Sequence, residues 1–484
     1  MKKPFFLLLG VTLTVSLGAQ NPFESEFNSF FEQSVQEFSD FRDRINAEYA
    51  DFLLTSWEEF NAEIPVEKPF EKPVPPVAYD ADRTVRKASK AIPFDETVRT
   101  GALFESPAPD QPIQSSNIGQ ARSVEFTSFG LPLSVKVPAD REFKLASCNA
   151  RELSKAWKKL SANEYDVILA DCLTIRKEEG LCDWAYLNML SDFAIQFLGK
   201  GDAATFLTAF LFAQSGYRMR LAQGSNKLFL LYGTDFIIYN KSFFEIGDQF
   251  YFPFGGAECQ TLQIANIPYP DETSLSFIMD SEQHFGGSLS EERKLVSKRY
   301  SVSAESRVSE GQIEFFSTYP SAQLGDNTMT RWSIYANSPF CETVKARLYP
   351  SLKKMIEGKS ELEATDILLD FVQTAFKYEL DEKLWGIDRI FFAEETLYYP
   401  YCDCEDRAIL FSRLVRDLLN LKVALVYYPG HLATAVRLPD GAAGDYFTLE
   451  DGLYTVCDPT FIGAPVGNTM PGLDNVAAKI ILLL

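Results

Sequence analysis

The order of predicted elements in the last third of the chain constrains its fold more than any other feature. Apolar residues recur at helical spacing after Cys404, and three runs typical of strands follow at 422–428, 431–438 and 453–457. A helix followed by strands joined through turns can form an antiparallel sheet with that helix packed on one face. The sequence therefore predicts an α+β fold for this part of the chain.

Three residues with complementary chemistry lie at the ends of these predicted elements. Cys404 opens the helix, His431 opens the second strand, and Asp458 follows the third. The N–H groups at a helix start favour a thiolate, a histidine can accept the thiol proton, and a carboxylate can orient the imidazole. The chain has two histidines. The other, His284, lies in a turn-rich stretch without a metal-ligand pattern, and we expect it on the surface.

The acidic residues around Cys404 oppose this activation. Asp403, Glu405 and Asp406 all disfavour a thiolate, so we expect His431 to supply the compensating positive charge. An alternative role for Asp406 is to cap the start of the helix.

Three segments resemble the transglutaminase-like superfamily of papain-type thiol enzymes, over roughly residues 360–465. They are Asp-Cys-Glu-Asp-Arg-Ala at 403–408, Gly-His-Leu-Ala-Thr-Ala-Val at 430–436, and Tyr-Thr-Val-Cys-Asp-Pro-Thr at 454–460. The resemblance implies a central helix against an antiparallel sheet, with no metal and no organic cofactor. It also implies a catalytic triad in which Cys404 is the nucleophile, His431 the general base and Asp458 the residue that orients His431.

One departure from the family's pattern is Cys402, where many relatives have glycine. Neither the resemblance nor the residues identify the oxyanion donor beyond the N–H of Cys404, and Tyr399 or Tyr401 is a candidate. The eight cysteines show no disulfide framework and no zinc pattern, although export would allow some of them to pair.

The remaining sequence predicts several further regions. They are a signal peptide at 1–19, an amphipathic helical segment at 20–62, a Pro-rich linker at 63–120, a mixed α+β domain at 121–255, a β-rich region at 256–340 and the transglutaminase-like domain at 341–484. An ungapped shift by 204 residues aligns part of the last domain with 121–255 and places its triad on Lys200, Lys227 and Phe254. We therefore consider 121–255 a possible degenerate copy that has lost its thiol chemistry.

Charge and the N-terminus indicate where the protein acts. The net charge of −21 repels phosphates, so nucleic acid is not an expected partner. Lys2 and Lys3 precede a short apolar run at 5–17, and Gly18 and Ala19 provide a small-residue cleavage site. The run is too short for a stable membrane span. We expect an extracytoplasmic protein, periplasmic or secreted.

These observations favour an exported cysteine peptidase or amidase that acts on a protein or peptide through a thioester on Cys404. Two alternatives stay open. One is a protein-crosslinking acyl transferase with the same triad, and the other is a non-catalytic binding or assembly module. We expect the apolar stripe of the N-terminal helix to dock on the protein's own body, and contact with a partner is the alternative.

Overall fold

The computed structural model describes residues 40–80, 89–100, 121–139, 143–162, 165–256, 259–438 and 443–483. Helices and sheets are mixed throughout these residues, in agreement with the predicted α+β class. The helices, α1 to α12 in chain order, are 40–52, Ala150–Leu160, Asp166–Glu178, Asp183–Leu198, Asp202–Gln214, Glu310–Thr318, Thr330–Asn337, Glu342–Ile356, Glu361–Ala375, Asp381–Leu384, Ala393–Tyr398 and Cys404–Leu419.

The strands form two large sheets and several two-stranded pairs. In chain order β1 to β21 are Trp57–Asn61, Lys90–Ala91, Glu96–Arg99, Ala121–Ser128, Leu131–Pro138, Met219–Gly224, Lys227–Thr234, Phe236–Ile238, Phe244–Ile246, Gln249–Pro253, Thr261–Ala265, Arg293–Val296, Ser303–Ser306, Ala322–Leu324, Lys377–Tyr378, Tyr401–Cys402, Val423–Tyr428, His431–Arg437, Asp445–Leu449, Gly452–Cys457 and Lys479–Leu482.

The C-terminal sheet has the strand order β2-β19-β20-β18-β17-β21-β3. Its five inner strands are antiparallel, and β2 and β3 add to its two edges in parallel. Helix α12 packs across β17 and β18, and α9 packs on α12. Every residue of β17 is buried, because the strand lies near the middle of the sheet beneath α12. The predicted helix, the three predicted strands and a final strand near 480 are therefore present.

The second sheet has the order β1-β11-β6-β7-β10-β9, with α5 packed on β6 and β7. This order matches that of the C-terminal sheet read from its other edge, β3-β21-β17-β18-β20-β19, strand by strand. In both sheets a helix leads into a hairpin, a later strand pairs with each side of that hairpin, and an N-terminal strand closes one edge. Moving back by 204 residues places β17 on 219–224, the bounds of β6, and places β18 inside β7.

The predicted N-terminal helix is wrong in its second half. Helix α1 ends at 52, a turn covers 53–55, and Trp57–Asn61 form an edge strand that pairs antiparallel with β11. The apolar residues there fit helical spacing, but pairing with an open sheet edge satisfies the backbone instead. Residues 1–39, which include the predicted signal peptide and the first half of the predicted helix, lie outside the described residues.

The predicted linker and the boundary at 255 also need correction. Part of 63–120 is built into the C-terminal sheet as β2 and β3, and 62–80 lies against the protein with little regular structure. The sheet of the mixed domain includes β11, so this domain extends at least to residue 265.

The region 256–340 is less rich in strands than predicted. It contains short strands together with α6 and α7. The run at 312–316, whose alternation of polar and apolar residues is also typical of a strand, lies in α6, which begins after Ser309 and buries Ile313, Phe315 and Phe316. Short apolar runs of this kind satisfy both periodicities, and burial against the core decides the outcome.

Candidate active site

Cys404 is the first residue of α12, and the acidic residues around it hold the helix start. The Asp403 carboxylate accepts a hydrogen bond from the N–H of Glu405 at 3.1 Å. The Asp406 carboxylate accepts from the N–H of Asp403 at 3.1 Å and from the N–H of Phe391 at 2.9 Å. Asp406 therefore has the capping role that the sequence offered as an alternative, and its backbone bonds fix where the Cys404 side chain begins.

His431 and Asp458 form a buried pair on neighbouring strands of the C-terminal sheet. His431 opens β18 opposite Tyr428, and its Nε2 lies 3.0 Å from Asp458 Oδ2. The other oxygen of Asp458 accepts hydrogen bonds from the N–H groups of Thr460 at 2.8 Å and Phe461 at 3.2 Å. These backbone donors orient the carboxylate, which in turn fixes the imidazole ring.

The remaining ring nitrogen of His431 is available for proton transfer. With Nε2–H donating to Asp458, Nδ1 has the lone pair of the neutral ring. Nδ1 is buried and has no hydrogen-bond partner within the described parts of the chain. Cys404 and His431 line one cavity of about 70 Å³, so the structure brings together all three residues that the sequence predicted.

The thiol of Cys404 is held in its neutral form. Burial raises its pKa well above the ordinary value, and the Asp403 and Glu405 carboxylates raise it further, while the N–H of Leu432 lowers it. The expected effect of the carboxylates is thus present. The helix start does not outweigh them, because the side chain is buried as well.

The His431–Asp458 pair is supported by two further buried side chains, Gln373 and Arg407, for which the sequence suggested no role. Gln373 Nε2 on α9 donates to the carbonyl of Asp458 at 3.0 Å, and its Oε1 accepts from the N–H of Gly463 at 3.1 Å. Arg407 donates to the carbonyls of Gln373 at 3.3 Å and Phe376 at 2.9 Å. The sequence signal for Gln373 is a polar residue among apolar residues at helical spacing, Leu368, Phe371, Val372 and Phe376.

Residues 68–74, here called the covering segment, lie over the cavity. Pro69, Phe70, Glu71 and Pro73 line it together with Cys404 and His431. The space that remains beneath this segment is small, about 70 Å³. The Pro-rich stretch is therefore a part of the site.

The covering segment is attached to the turn that precedes His431. The Glu71 carboxylate accepts from the N–H of Gly430 at 2.7 Å and also from the hydroxyl of Tyr427. The N–H of Val74 donates to the carbonyl of Gly430 at 2.8 Å. Gly430 has φ +75°, and a Cβ there would lie 2.3 Å from the carbonyl oxygen of Lys72, so only glycine permits this approach.

Three carboxylates form an acidic cluster beside the thiol. Oxygens of Asp381, Asp388 and Glu405 all lie within 4.8 Å of one another, a spacing that suits cation binding. Burial raises the pKa of Asp381 to about 7, and the neighbouring carboxylates Glu405 and Asp388 also raise it. Lys68 of the covering segment forms an ion pair with Asp388 at 2.6 Å.

The tyrosines proposed as oxyanion donors do not line the cavity. Tyr399 packs against Trp385 and Phe391, and Tyr401 pairs with Lys377. Tyr378 does not line the cavity either, but its buried hydroxyl lacks a partner among the described residues. Burial raises its pKa, and the Cys404 thiol raises it further.

All eight cysteines are described, and all are free thiols. Cys402 Sγ is directed to the carbonyl of Lys377 at 3.7 Å. His284 is exposed, as expected.

Among the described helices, none combines the length and hydropathy required to cross a bilayer. No known protein family, curated protein or solved structure matches the chain.

Proposed function

We propose that this chain is an exported thiol hydrolase of the transglutaminase-like type, which cleaves peptide or amide bonds through a thioester on Cys404. The observation that supports it best is the buried His431–Asp458 pair at 3.0 Å, whose free imidazole nitrogen shares a cavity with a thiol at a helix start. A nucleophile, a base and a group that orients the base are the minimum for this reaction.

The proposed reaction has two halves. His431 Nδ1 accepts the proton of Cys404, the sulfur attacks the substrate carbonyl carbon, and the tetrahedral intermediate collapses as the C–N bond breaks. The imidazolium gives its proton to the departing amine. Water then attacks the thioester with His431 as base, which releases the acid and restores the thiol. Asp458 keeps the ring in the required tautomer throughout.

A non-catalytic binding module is the second candidate. It is favoured by the burial of the Cys404 thiol, whose pKa is raised, and by the covering segment that lines the cleft. We place the enzyme first because a binding role does not require a cysteine, a histidine and an aspartate to meet in one buried site.

The test is to incubate the full-length protein, and a Glu71→Ala variant with a weakened covering segment, with casein and a dansylated primary amine. New amino termini without fluorophore indicate hydrolysis, and fluorophore in casein indicates acyl transfer. Both signals should vanish in Cys404→Ala and persist in Cys259→Ala, which removes a thiol outside this site. If neither the intact protein nor the Glu71→Ala variant gives a Cys404-dependent signal, the enzyme proposal fails.

Export is also proposed, on the basis of the charged start, the apolar run at 5–17 and the small residues before Gln20. Amino-terminal sequencing of the protein recovered from outside the cytoplasm should give a start near residue 20. A start at Met1 in that fraction would contradict removal of a signal peptide.

We further propose that the mixed domain is an internal copy without thiol chemistry. The shared strand order and the common shift of 204 residues support this, and the triad positions hold Lys200, Lys227 and Phe254. Lys200 and Phe254 line a cavity of about 120 Å³ next to α5, at the place that corresponds to the thiol site. A residual role in this copy would be binding or scaffolding.

A further inference from the structure

We propose that Asp381, Asp388 and Glu405 form a substrate subsite for a cationic side chain, a lysine or an arginine, and that Lys68 of the covering segment fills this subsite in the closed protein. This inference deepens the proposed function and rests on it. It names the substrate class as a polypeptide with a basic residue next to the bond that Cys404 attacks.

The position of the cluster is the first observation. Glu405 follows Cys404 directly in α12, and all three acidic residues line the same cavity as the thiol. Asp381 and Glu405 are buried, whereas the Asp388 side chain is 38% exposed and forms the open side of the cluster. A ligand can therefore enter past Asp388 and place its charge close to the nucleophile.

Lys68 is the cation that pairs directly with the cluster. Arg331 lines the same cavity and its charge acts on Glu405, but its guanidinium stacks 3.6 Å from the centre of the Trp332 ring. The Arg389 guanidinium pairs with Glu395, so Arg389 reaches Asp381 only through its backbone N–H. Within the described residues, Lys68 alone makes an ion pair with the cluster. Buried carboxylates without cations are unfavourable, and a cationic ligand would relieve this.

The Glu405 carboxylate has an unused hydrogen-bond acceptor, which also favours a cationic ligand in the cluster. Glu405 is nine-tenths buried, and its Oε2 accepts from Trp332 Nε1 at 2.6 Å. Its Oε1 is also buried but has no partner among the described residues. An ammonium or guanidinium group supplies several donors and can satisfy such an oxygen.

The binding mode of Lys68 resembles that of a ligand. Its side chain is only 10% exposed, and its ammonium lies 2.6 Å from the Asp388 carboxylate and 3.2 Å from the Asp388 carbonyl. From there the chain passes over the thiol through Pro69 and Phe70 to the contact of Glu71 with Gly430. An extended polypeptide thus already lies across the cleft, with a lysine in the acidic cluster and its backbone beside the catalytic pair.

The experiment compares two thiol reagents of similar size and opposite charge on the full-length protein. Aminoethyl methanethiosulfonate is cationic and sulfonatoethyl methanethiosulfonate is anionic, and mass spectrometry follows Cys404 itself, with a chelator present. In Lys68→Met we expect the rate ratio of cationic to anionic reagent to rise about tenfold over the unmodified sequence, because the emptied cluster attracts one reagent and repels the other.

Two further variants make the result specific. Lys72→Met removes the same charge from an exposed position of the same segment and should leave the ratio unchanged. The double variant Lys68→Met, Asp388→Asn should lose most of the rise in the rate ratio that Lys68→Met shows. A ratio unchanged in Lys68→Met, or equal gains in Lys68→Met and Lys72→Met, would overturn the subsite.

The outcomes separate this inference from the proposed function. If the ratio of the two reagent rates rises in Lys68→Met but casein is not cleaved, the cleft binds cations and the enzyme proposal fails. Cleavage that depends on Cys404, together with a ratio that Lys68 does not influence, would leave the enzyme and remove the subsite.

Discussion

The carboxylate of Glu71 accepts a hydrogen bond of 2.7 Å from the backbone N–H of Gly430, the residue that precedes His431. A residue far from the C-terminal sheet in sequence is thereby fixed to the turn that precedes His431. The same carboxylate accepts from the hydroxyl of Tyr427. The structure accordingly represents a closed form, in which the thiol is buried and neutral beneath the covering segment.

Weakening this attachment should expose the thiol. In Glu71→Ala the covering segment loses both hydrogen bonds, each worth about 1.5–3 kcal/mol when one partner is charged. We expect the alkylation of Cys404 by iodoacetamide to become at least about tenfold faster, a factor that corresponds to about 1.4 kcal/mol. The control is Glu67→Ala, an exposed position just before the segment. Equal rates in the two variants would show that Glu71 does not hold the cleft closed.

Gln373 should act on the reaction through Asp458. Replacing it by leucine removes the donor to the Asp458 carbonyl and the acceptor for Gly463, so the loop that follows β20 loses its support. We expect a fall of about 1–3 kcal/mol in the free energy of unfolding. We also expect a shift in the pH profile of Cys404 alkylation, measured in the Glu71→Ala background.

The matched control for Gln373 is Gln283, since both are buried and each bonds to three backbone groups. Gln373 bonds to Asp458, Gly463 and Ala464. Gln283 bonds to Gly180, Ser281 and Cys182. Gln283→Leu should lose comparable stability and leave the profile of Cys404 unchanged. The same shift of the pH profile in both variants would show that Gln373 supports the fold and has no specific effect on Cys404.

Glu394 should make the stability of the fold depend on pH. Burial raises its pKa from 4.5 to about 7. The folded protein thus binds the proton more tightly than the unfolded chain, and the resulting stability is full below pH 4.5 and lost as the pH rises through 7. Thermal unfolding followed from pH 4 to 8 should show a smaller loss in Glu394→Gln, by about 1–3 kcal/mol. Parallel curves for the two proteins would contradict this assignment.

The sequence predicted the elements that hold the candidate site better than it predicted the rest of the fold. Cys404, His431 and Asp458 lie at the ends of strongly patterned elements, and α12, β17, β18 and β20 occupy nearly the predicted bounds. Patterns of this kind are local, so the order of elements was sufficient to bring the three side chains together.

The features that the sequence did not predict depend on distant contacts. Trp57–Asn61 form a strand only because β11 offers an open edge, and the run at 312–316 is helical because of what it packs against. The covering segment has no periodicity, and nothing in its prolines indicates that Glu71 meets Gly430. The position of Lys68 in an acidic cluster likewise follows from tertiary structure, since Asp381 and Asp388 are more than 300 residues away.

The central claim is that His431 activates Cys404, and the most direct measurement is the rate of Cys404 alkylation against pH. It should be made in Glu71→Ala and in Glu71→Ala with His431→Asn, with circular dichroism to verify that both are folded. We expect an apparent thiol pKa below the free value of about 8.5 in the first protein and above it in the second. The same profile in both proteins, with a pKa above 8.5, would rule out activation by His431 and favour a binding module.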